Sequence, residues 1–127
     1  MKHLLFLPLF LLSFALKSQE GMTFKHNGDW AAAVEQAKTE NKLIFMDAFT
    51  TWCGPCKMMS AQVFPNAEVS KFFNASFVNV KMDMEKGEGV ELAKKFSVMA
   101  YPTLLFIDPS DASVVHRTAG FHAVDEF

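Results

Sequence analysis

The chain has 127 residues, half of them hydrophobic, which is enough for one domain with a real core. It carries 12 basic and 14 acidic residues, and such a small negative charge favours neither nucleic acid nor an anionic membrane as a partner. We therefore expect a single globular domain.

The N-terminus has the pattern of a secretory signal peptide. Lys2 precedes an apolar run over residues 4–16, and small or polar residues follow it near Ser18. A retained membrane anchor is the less favoured alternative, because the run is shorter than the ~20 apolar residues that cross a bilayer and contains Pro8. We predict a signal peptide over residues 1–18 and export to a periplasmic or extracellular location.

The predicted mature domain covers residues 19–127. Without Lys2 and Lys17, ten basic residues would remain against 14 acidic ones, a net charge of about −4. No cysteine precedes Gln19, so a lipoprotein anchor has no attachment point, and we expect no stable membrane insertion after cleavage.

Hydrophobic periodicity and helix-breaking residues predict strands alternating with helices. In chain order we expect a short strand 23–25, a helix 30–41, a strand 43–49, helices 56–64 and 66–73, a strand 77–83, a helix 90–96, and strands 103–107 and 112–119. The last two strands are joined by a turn-forming segment and predict a hairpin. This order predicts an α/β fold with a central mixed β-sheet flanked by helices.

Two cysteines lie where the predicted buried strand turns into a helix, in the tract Trp52-Cys53-Gly54-Pro55-Cys56. A bridge between Cys53 and Cys56 closes almost no loop and contributes little stability, so redox chemistry explains the pair better than a structural disulfide does. Cys53 would lie at the helix N-terminus, where unpaired N–H groups and the helix dipole stabilise a thiolate. Cys56, one turn later, would be more buried and act as the resolving thiol.

The chain resembles the thioredoxin family over roughly residues 43–120. The resemblance rests on Asp47 six positions before Cys53, on the tract from Trp52 to Lys57, and on Tyr101-Pro102-Thr103 opening a strand. It implies the thioredoxin fold, a cis peptide bond before Pro102, and a buried Asp47 beneath Cys56 that helps to move its proton. It also implies a substrate groove, formed by Trp52, Gly54, Pro55, Tyr101 and Pro102.

Each of these residues has an alternative interpretation. Asp47 could end a strand at the surface, Pro102 could be a trans proline on a sheet edge, and Trp52 could be a core residue rather than an exposed platform. Tyr101 departs from the aliphatic residue often found before this proline in the family. Asn79 stands where the family often has a lysine, so the tuning of Asp47 by that lysine is not expected here.

A metal site is an alternative that the composition raises. Met58 and Met59, together with the two thiols, could hold a soft ion such as Cu(I). Methionine is a common core residue, however, and no histidine lies near the cysteines in sequence. We predict no metal site and no cofactor other than a redox-active Cys53–Cys56 disulfide.

The predicted function is exchange of disulfides with protein substrates, most simply their reduction, with electrons supplied by a membrane donor. Oxidase or isomerase activity, a copper-handling module and a non-enzymatic adaptor of the same fold are the alternatives. Family domains normally continue from Gly120 into a helix, and residues 121–127 look like its opening. We therefore expect a truncated C-terminal helix and an apolar sheet face left exposed or covered by a neighbour.

Overall fold

The structure is a computed structural model that describes residues 21–127. The predicted signal peptide over residues 1–18 lies outside the described residues.

Helices alternate with strands along the described chain, as the sequence predicted. The elements are α1 (Trp30–Glu40), β1 (Leu43–Phe49), α2 (Gly54–Met58), a π-helical turn (Met59–Val63), α3 (Ala67–Ser76), β2 (Phe77–Asp83), α4 (Gly89–Lys95), β3 (Thr103–Ile107), β4 (Val114–Ala119) and a 3₁₀ turn (Val124–Glu126). The predicted strand at 23–25 is reduced to one bridge, between Lys25 and Val80.

The four strands form one mixed sheet in the order β2-β1-β3-β4. β1 pairs in parallel with β2 and antiparallel with β3, and β3 pairs antiparallel with β4. The interior of β1 is buried, as expected for a central strand that is covered on both faces. This sheet with flanking helices is the thioredoxin fold that the resemblance implied.

Two apolar clusters lie on the two faces of the sheet. Ile44, Met46 and Ala48 belong to the cluster that includes residues of α1 and α4. Phe45 belongs to the other cluster, with Met59 and Phe73 from the helices that follow the cysteines. Because side chains alternate along a strand, Asp47 lies on the same face of β1 as Phe45. The sheet thus places the Asp47 carboxyl on the side of the cysteine-bearing helix.

Residues 121–127 pack on this second cluster. Phe127 stacks on Phe73 with ring centroids 4.7 Å apart, and Phe121 also contacts the cluster. We expected an apolar sheet face left exposed or covered by a neighbour, but Phe45 and Leu104 are fully buried, and the aromatic side chains of residues 121–127 contribute to their cover.

Candidate active site

The two cysteines form a disulfide at the junction between β1 and α2, with their Cα atoms 5.3 Å apart. Cys53 is the N-cap of α2, and its Sγ accepts a hydrogen bond from the Cys56 backbone N–H at 3.1 Å. The helix begins at Gly54 rather than at Cys56, because Cys53 caps it and Pro55 in the first turn needs no N–H partner. The first turn of the helix therefore directs the Cys56 N–H at the Cys53 sulfur.

The expected difference in exposure between the two cysteines is absent in this oxidised state. Cys53 is 3% exposed and Cys56 is 2% exposed, whereas we expected Cys53 to be accessible. The physical reason is that the Cys53 sulfur is turned towards Cys56 and its N–H rather than towards solvent. Gly54 and Pro55 between them are exposed, so the loop itself lies at the surface.

An aromatic platform flanks the disulfide. Trp52 is 65% exposed, so it is not a core residue, and its ring meets Tyr101 edge-on with centroids 5.9 Å apart. The indole N–H of Trp52 donates to the Glu85 carboxylate at 2.5 Å, which fixes the ring from the β2–α4 loop. Pro102 is buried, and the peptide bond that joins it to Tyr101 is cis. The turn before β3 therefore lies beside the cysteine loop, where the family pattern places the groove.

Asp47 is fully buried, as the family pattern implied, and does not end a strand at the surface. Burial raises the pKa of Asp47 from its ordinary value of 3.8 to about 6, and the Lys81 ammonium opposes part of that rise. The Lys81 Nζ lies 3.3 Å from Asp47 Oδ2. Within residues 21–127, neither carboxylate oxygen receives a hydrogen bond of good geometry. The group can therefore hold or release a proton close to neutral pH.

A lysine does tune Asp47, although Asn79 stands where the family often has one. Lys81 lies directly opposite Asp47 in the parallel pairing of β1 and β2, two positions beyond Asn79. Asn79 instead donates to the Phe73 carbonyl from a buried position. The family spacing pattern pointed to position 79 and not to Lys81, because cross-strand register, rather than spacing from Asp83, decides which residue faces Asp47.

A surface cavity of about 450 Å³ borders Cys56, together with Thr50 and Thr51 of the loop that precedes the cysteines. Its lining also includes Ser60 and Lys81, so the same space borders Cys56 and the lysine that contacts Asp47. The Lys81 side chain is 18% exposed, which is consistent with limited contact with solvent.

Sequence reasoning missed Glu85, Lys81 and Ser60. Glu85 lies in a charged loop that offered no signal for a partner, and its position depends on its backbone N–H donating to Asp83. Ser60 lies in the π-helical turn that interrupts the predicted continuous helix, and its hydroxyl accepts a hydrogen bond from Lys81. The alternation of β2 placed Lys81 on one face, but only the strand pairing shows its partner.

The methionines next to the cysteines have different environments. Met59 is fully buried, and its sulfur accepts a hydrogen bond from the His122 backbone N–H at 3.4 Å. Met58 is exposed. Of these two methionines, therefore, only Met58 is available at the surface, and Met59 has the core role that composition favoured.

Comparison with known proteins identifies the class of protein to which this chain belongs. The family model Thioredox_DsbH, described as a protein of unknown function (DUF255), matches residues 18–115. Thioredoxin H4 of Arabidopsis thaliana is 34% identical over 112 residues, which covers 87% of this chain and 88% of the plant protein. These matches and the cysteine pair define a thioredoxin-like disulfide oxidoreductase.

Solved structures agree with this class. A Bacteroides thetaiotaomicron protein, provisionally named a disulphide-isomerase, is 51% identical with a TM-score of 0.73, covering 86% of this chain and 88% of its own. A thioredoxin from Thermus thermophilus has a TM-score of 0.71 at 24% identity, covers 83% of this chain and 82% of its own, and supports the fold. The chain belongs to the thioredoxin family and carries its DsbH-like domain.

Proposed function

We propose that this protein is an exported reductase of protein disulfides. The Cys53 thiolate attacks a substrate disulfide, forming a mixed disulfide and releasing one substrate thiolate. Cys56, having lost its proton, then attacks Cys53 and releases the second substrate thiolate. Two electrons pass to the substrate, and the Cys53–Cys56 disulfide remains to be reduced again by a membrane electron donor.

The cap of α2 is the observation that carries this proposal. The Cys53 sulfur already accepts the Cys56 N–H at the first turn of a helix, the position at which negative charge is stabilised. Reduction of the disulfide would leave the thiolate at this same place. Cys53 is accordingly the attacking group, and Trp52, Gly54, Pro55, Tyr101 and Pro102 would contact the substrate around it.

Two features favour the reducing direction. Gly-Pro between the cysteines is typical of the reducing members of the family. A strongly oxidising pair depends on a highly stabilised thiolate form, whereas a buried carboxylate on the same side of the sheet opposes further negative charge. Asp47 would instead act as the general base that accepts the Cys56 proton.

Export is supported by the charged and apolar pattern of the first 18 residues. A reductase outside the cytosol needs electrons from across the membrane, which is the reason for including a membrane donor in the proposal. Intact-mass measurement of the protein recovered from its natural host would test export, with a new N-terminus near residue 19 as the expected result. An uncleaved chain recovered from the cytosol would contradict it.

The equilibrium redox potential of the cysteine pair tests the direction. We expect a value near −270 mV, as for thioredoxin, whereas a value near −120 mV would identify an oxidant. The measurement equilibrates the protein with dithiol buffers of known potential and follows the thiols by alkylation and mass. The Cys56→Ser variant, which cannot form the internal disulfide, controls for reaction with the buffer.

Isomerase activity is the second candidate, and the similarity to the Bacteroides protein favours it. An isomerase must rearrange wrong disulfides without net reduction. Recovery of activity from scrambled ribonuclease would measure isomerisation, and the rate of insulin reduction would measure reductase activity. Insulin reduction that greatly exceeds ribonuclease recovery would support the reductase, and the reverse order would support the isomerase.

A further inference from the structure

The Lys81 ammonium has two polar neighbours on different elements. Its Nζ lies 3.3 Å from the Asp47 carboxylate of β1, and it donates a hydrogen bond to the Ser60 hydroxyl of the π-helical turn. Ser60 follows the resolving Cys56 by four residues and lines the same cavity. The serine therefore connects the cysteine-bearing helical segment to the buried ion pair.

We propose that Ser60 is a positioning residue for the thiol chemistry, whose hydroxyl holds the Lys81 ammonium against the Asp47 carboxylate. Only the catalytic consequence of this assignment depends on the proposed function. Its structural part, the control of Asp47 by Ser60 through Lys81, holds for the oxidised protein irrespective of the substrate.

The surroundings of Lys81 explain why a positioning group matters. Its Nζ also lies 5.0 Å from the ring centroid of Phe49, 5.3 Å from that of Phe64 and 5.8 Å from that of Phe24. Aromatic faces attract an ammonium group, and the open cavity lets it reach water. These aromatic contacts exist with the ammonium already beside Asp47, so water in the cavity is the alternative open to this flexible lysine, and the Ser60 hydroxyl favours the position next to Asp47.

The groups that face Asp47 leave Lys81 as its charged partner. β2 contributes Lys81 and β3 contributes the apolar Leu104 opposite Asp47. From the helical segment, Cys56 and Lys57 line the nearby cavity, the first held in the disulfide and the second at an exposed position. Among residues 21–127, Lys81 is the ion-pair partner of Asp47 within 4.0 Å. Displacing its ammonium therefore removes the charge that favours the carboxylate form.

The test follows the Asp47 carboxyl carbon by NMR during a pH titration of the oxidised protein. In Ser60→Ala the ammonium loses its hydrogen-bond acceptor, so the midpoint should rise by about half a pH unit or more. Below the midpoint, this shift would lower the ionised fraction about threefold. Ser60→Thr keeps a hydroxyl and should restore the wild-type midpoint, and Gln62→Ala in the same turn, at an exposed position, is the matched control.

The Lys81→Met variant distinguishes an effect of Ser60 that acts through the ammonium from a local structural effect of the Ser60 substitution. In Lys81→Met there is no ammonium to position, so adding Ser60→Ala should leave the Asp47 midpoint unchanged. An unchanged midpoint in Ser60→Ala alone, or an equal rise in both backgrounds, would overturn the assignment. Because this readout needs no substrate, a wild-type protein that fails to reduce insulin would contradict the proposed function and not the role of Ser60.

Discussion

Cys53 and Cys56 are almost equally buried in the oxidised protein, but their surroundings differ. The sulfur of Cys53 caps a helix, whereas Cys56 borders the cavity that contains Lys81. Cys53→Ser should abolish reduction of a model disulfide protein and leave a thiol that alkylates slowly. Cys56→Ser should still attack, but nothing resolves the intermediate, so the partner stays attached through Cys53. A non-reducing gel would show the trapped complex, and added dithiol would remove it.

The opposite trapping pattern would reverse these roles. If Cys53→Ser captured a partner and Cys56→Ser did not, Cys56 would be the attacking thiol. If activity survived both changes, the redox function itself would be wrong. Partner binding that persists without either cysteine would support the adaptor alternative.

Asp47 should control the rate of resolution near neutral pH. Because its pKa is raised to about 6 by burial, it is mostly ionised at pH 7 and able to accept the Cys56 proton. Asp47→Asn should slow resolution at least roughly tenfold at pH 7. The ratio of wild-type to variant rates should rise through pH 6, since only the wild type gains a base there. Stopped-flow decay of a preformed mixed disulfide measures this step, and a ratio independent of pH would contradict the assignment.

The same carboxyl should make stability depend on pH. The folded protein holds the Asp47 proton up to about pH 6, while the unfolded chain releases it near pH 3.8. The folded state therefore binds more protons in that window, so its stability relative to Asp47→Asn is greatest below pH 3.8 and is lost as pH rises through 6. Between pH 4 and pH 7.5, the free energy of unfolding of the wild type should therefore fall by about 2 to 3 kcal/mol relative to that of Asp47→Asn. Urea unfolding of both proteins at the two pH values measures it; equal pH dependence would contradict burial of the charge.

At the scale of elements, the β2–α4 loop depends on close backbone contact. A Cβ added to Gly89 would lie 1.8 Å from the Asp83 carbonyl oxygen, at the end of β2. Gly89→Ala should therefore force the loop that carries Glu85 to move and destabilise the protein by more than about 2 kcal/mol. Gly54→Ala is the control for stability, since no atom lies within 4 Å of its added Cβ, and it should change stability by at most about 1 kcal/mol. Equal urea midpoints for the two variants would contradict the contact.

Elements with a strong local signal were predicted from the sequence, whereas features decided by pairing were not. The bounds of β1, β2 and β3 agree with the structure because apolar runs and breakers define them. Asn66, where the predicted helix starts, is the N-cap of α3, with its side chain accepting two backbone N–H groups. The π-helical turn has no comparable signal: its i+5 bond from Phe64 to Met59 depends on packing. The positions of Lys81 next to Asp47 and of Ser60 next to Lys81 depend on strand register and on that turn. These two residues could therefore be recognised only from the structure.

At the scale of the whole molecule, aromatic packing joins distant parts of the chain. The sequence contains 14 phenylalanines, and within residues 21–127 one cluster includes eight of them, which come from the segment before α1, from the strands β1, β2 and β3, from the helical region after the cysteines, and from the C-terminal residues. Phe45 at its centre contacts Phe64, Phe73, Phe106 and Phe127. The cluster lies on the face of the sheet that also holds Asp47. Packing on this face thus helps to keep the Asp47 carboxyl away from water.

Phe127 tests that dependence. Its ring stacks on Phe73 at 4.7 Å and meets Phe45 at 5.8 Å, covering a strand position that is fully buried. Phe127→Ala should destabilise the protein by about 1 to 3 kcal/mol, less than a core phenylalanine because the ring is partly exposed. Val124→Ala, an exposed position in the same segment, is the matched control and should change stability by less than about 0.5 kcal/mol. Urea unfolding compares the two, and similar values would show that the segment does not cover the sheet. If the segment does cover the sheet, Phe127→Ala should also admit water to this face. The pKa of Asp47 should then fall from about 6 towards its ordinary value, which the NMR titration would detect.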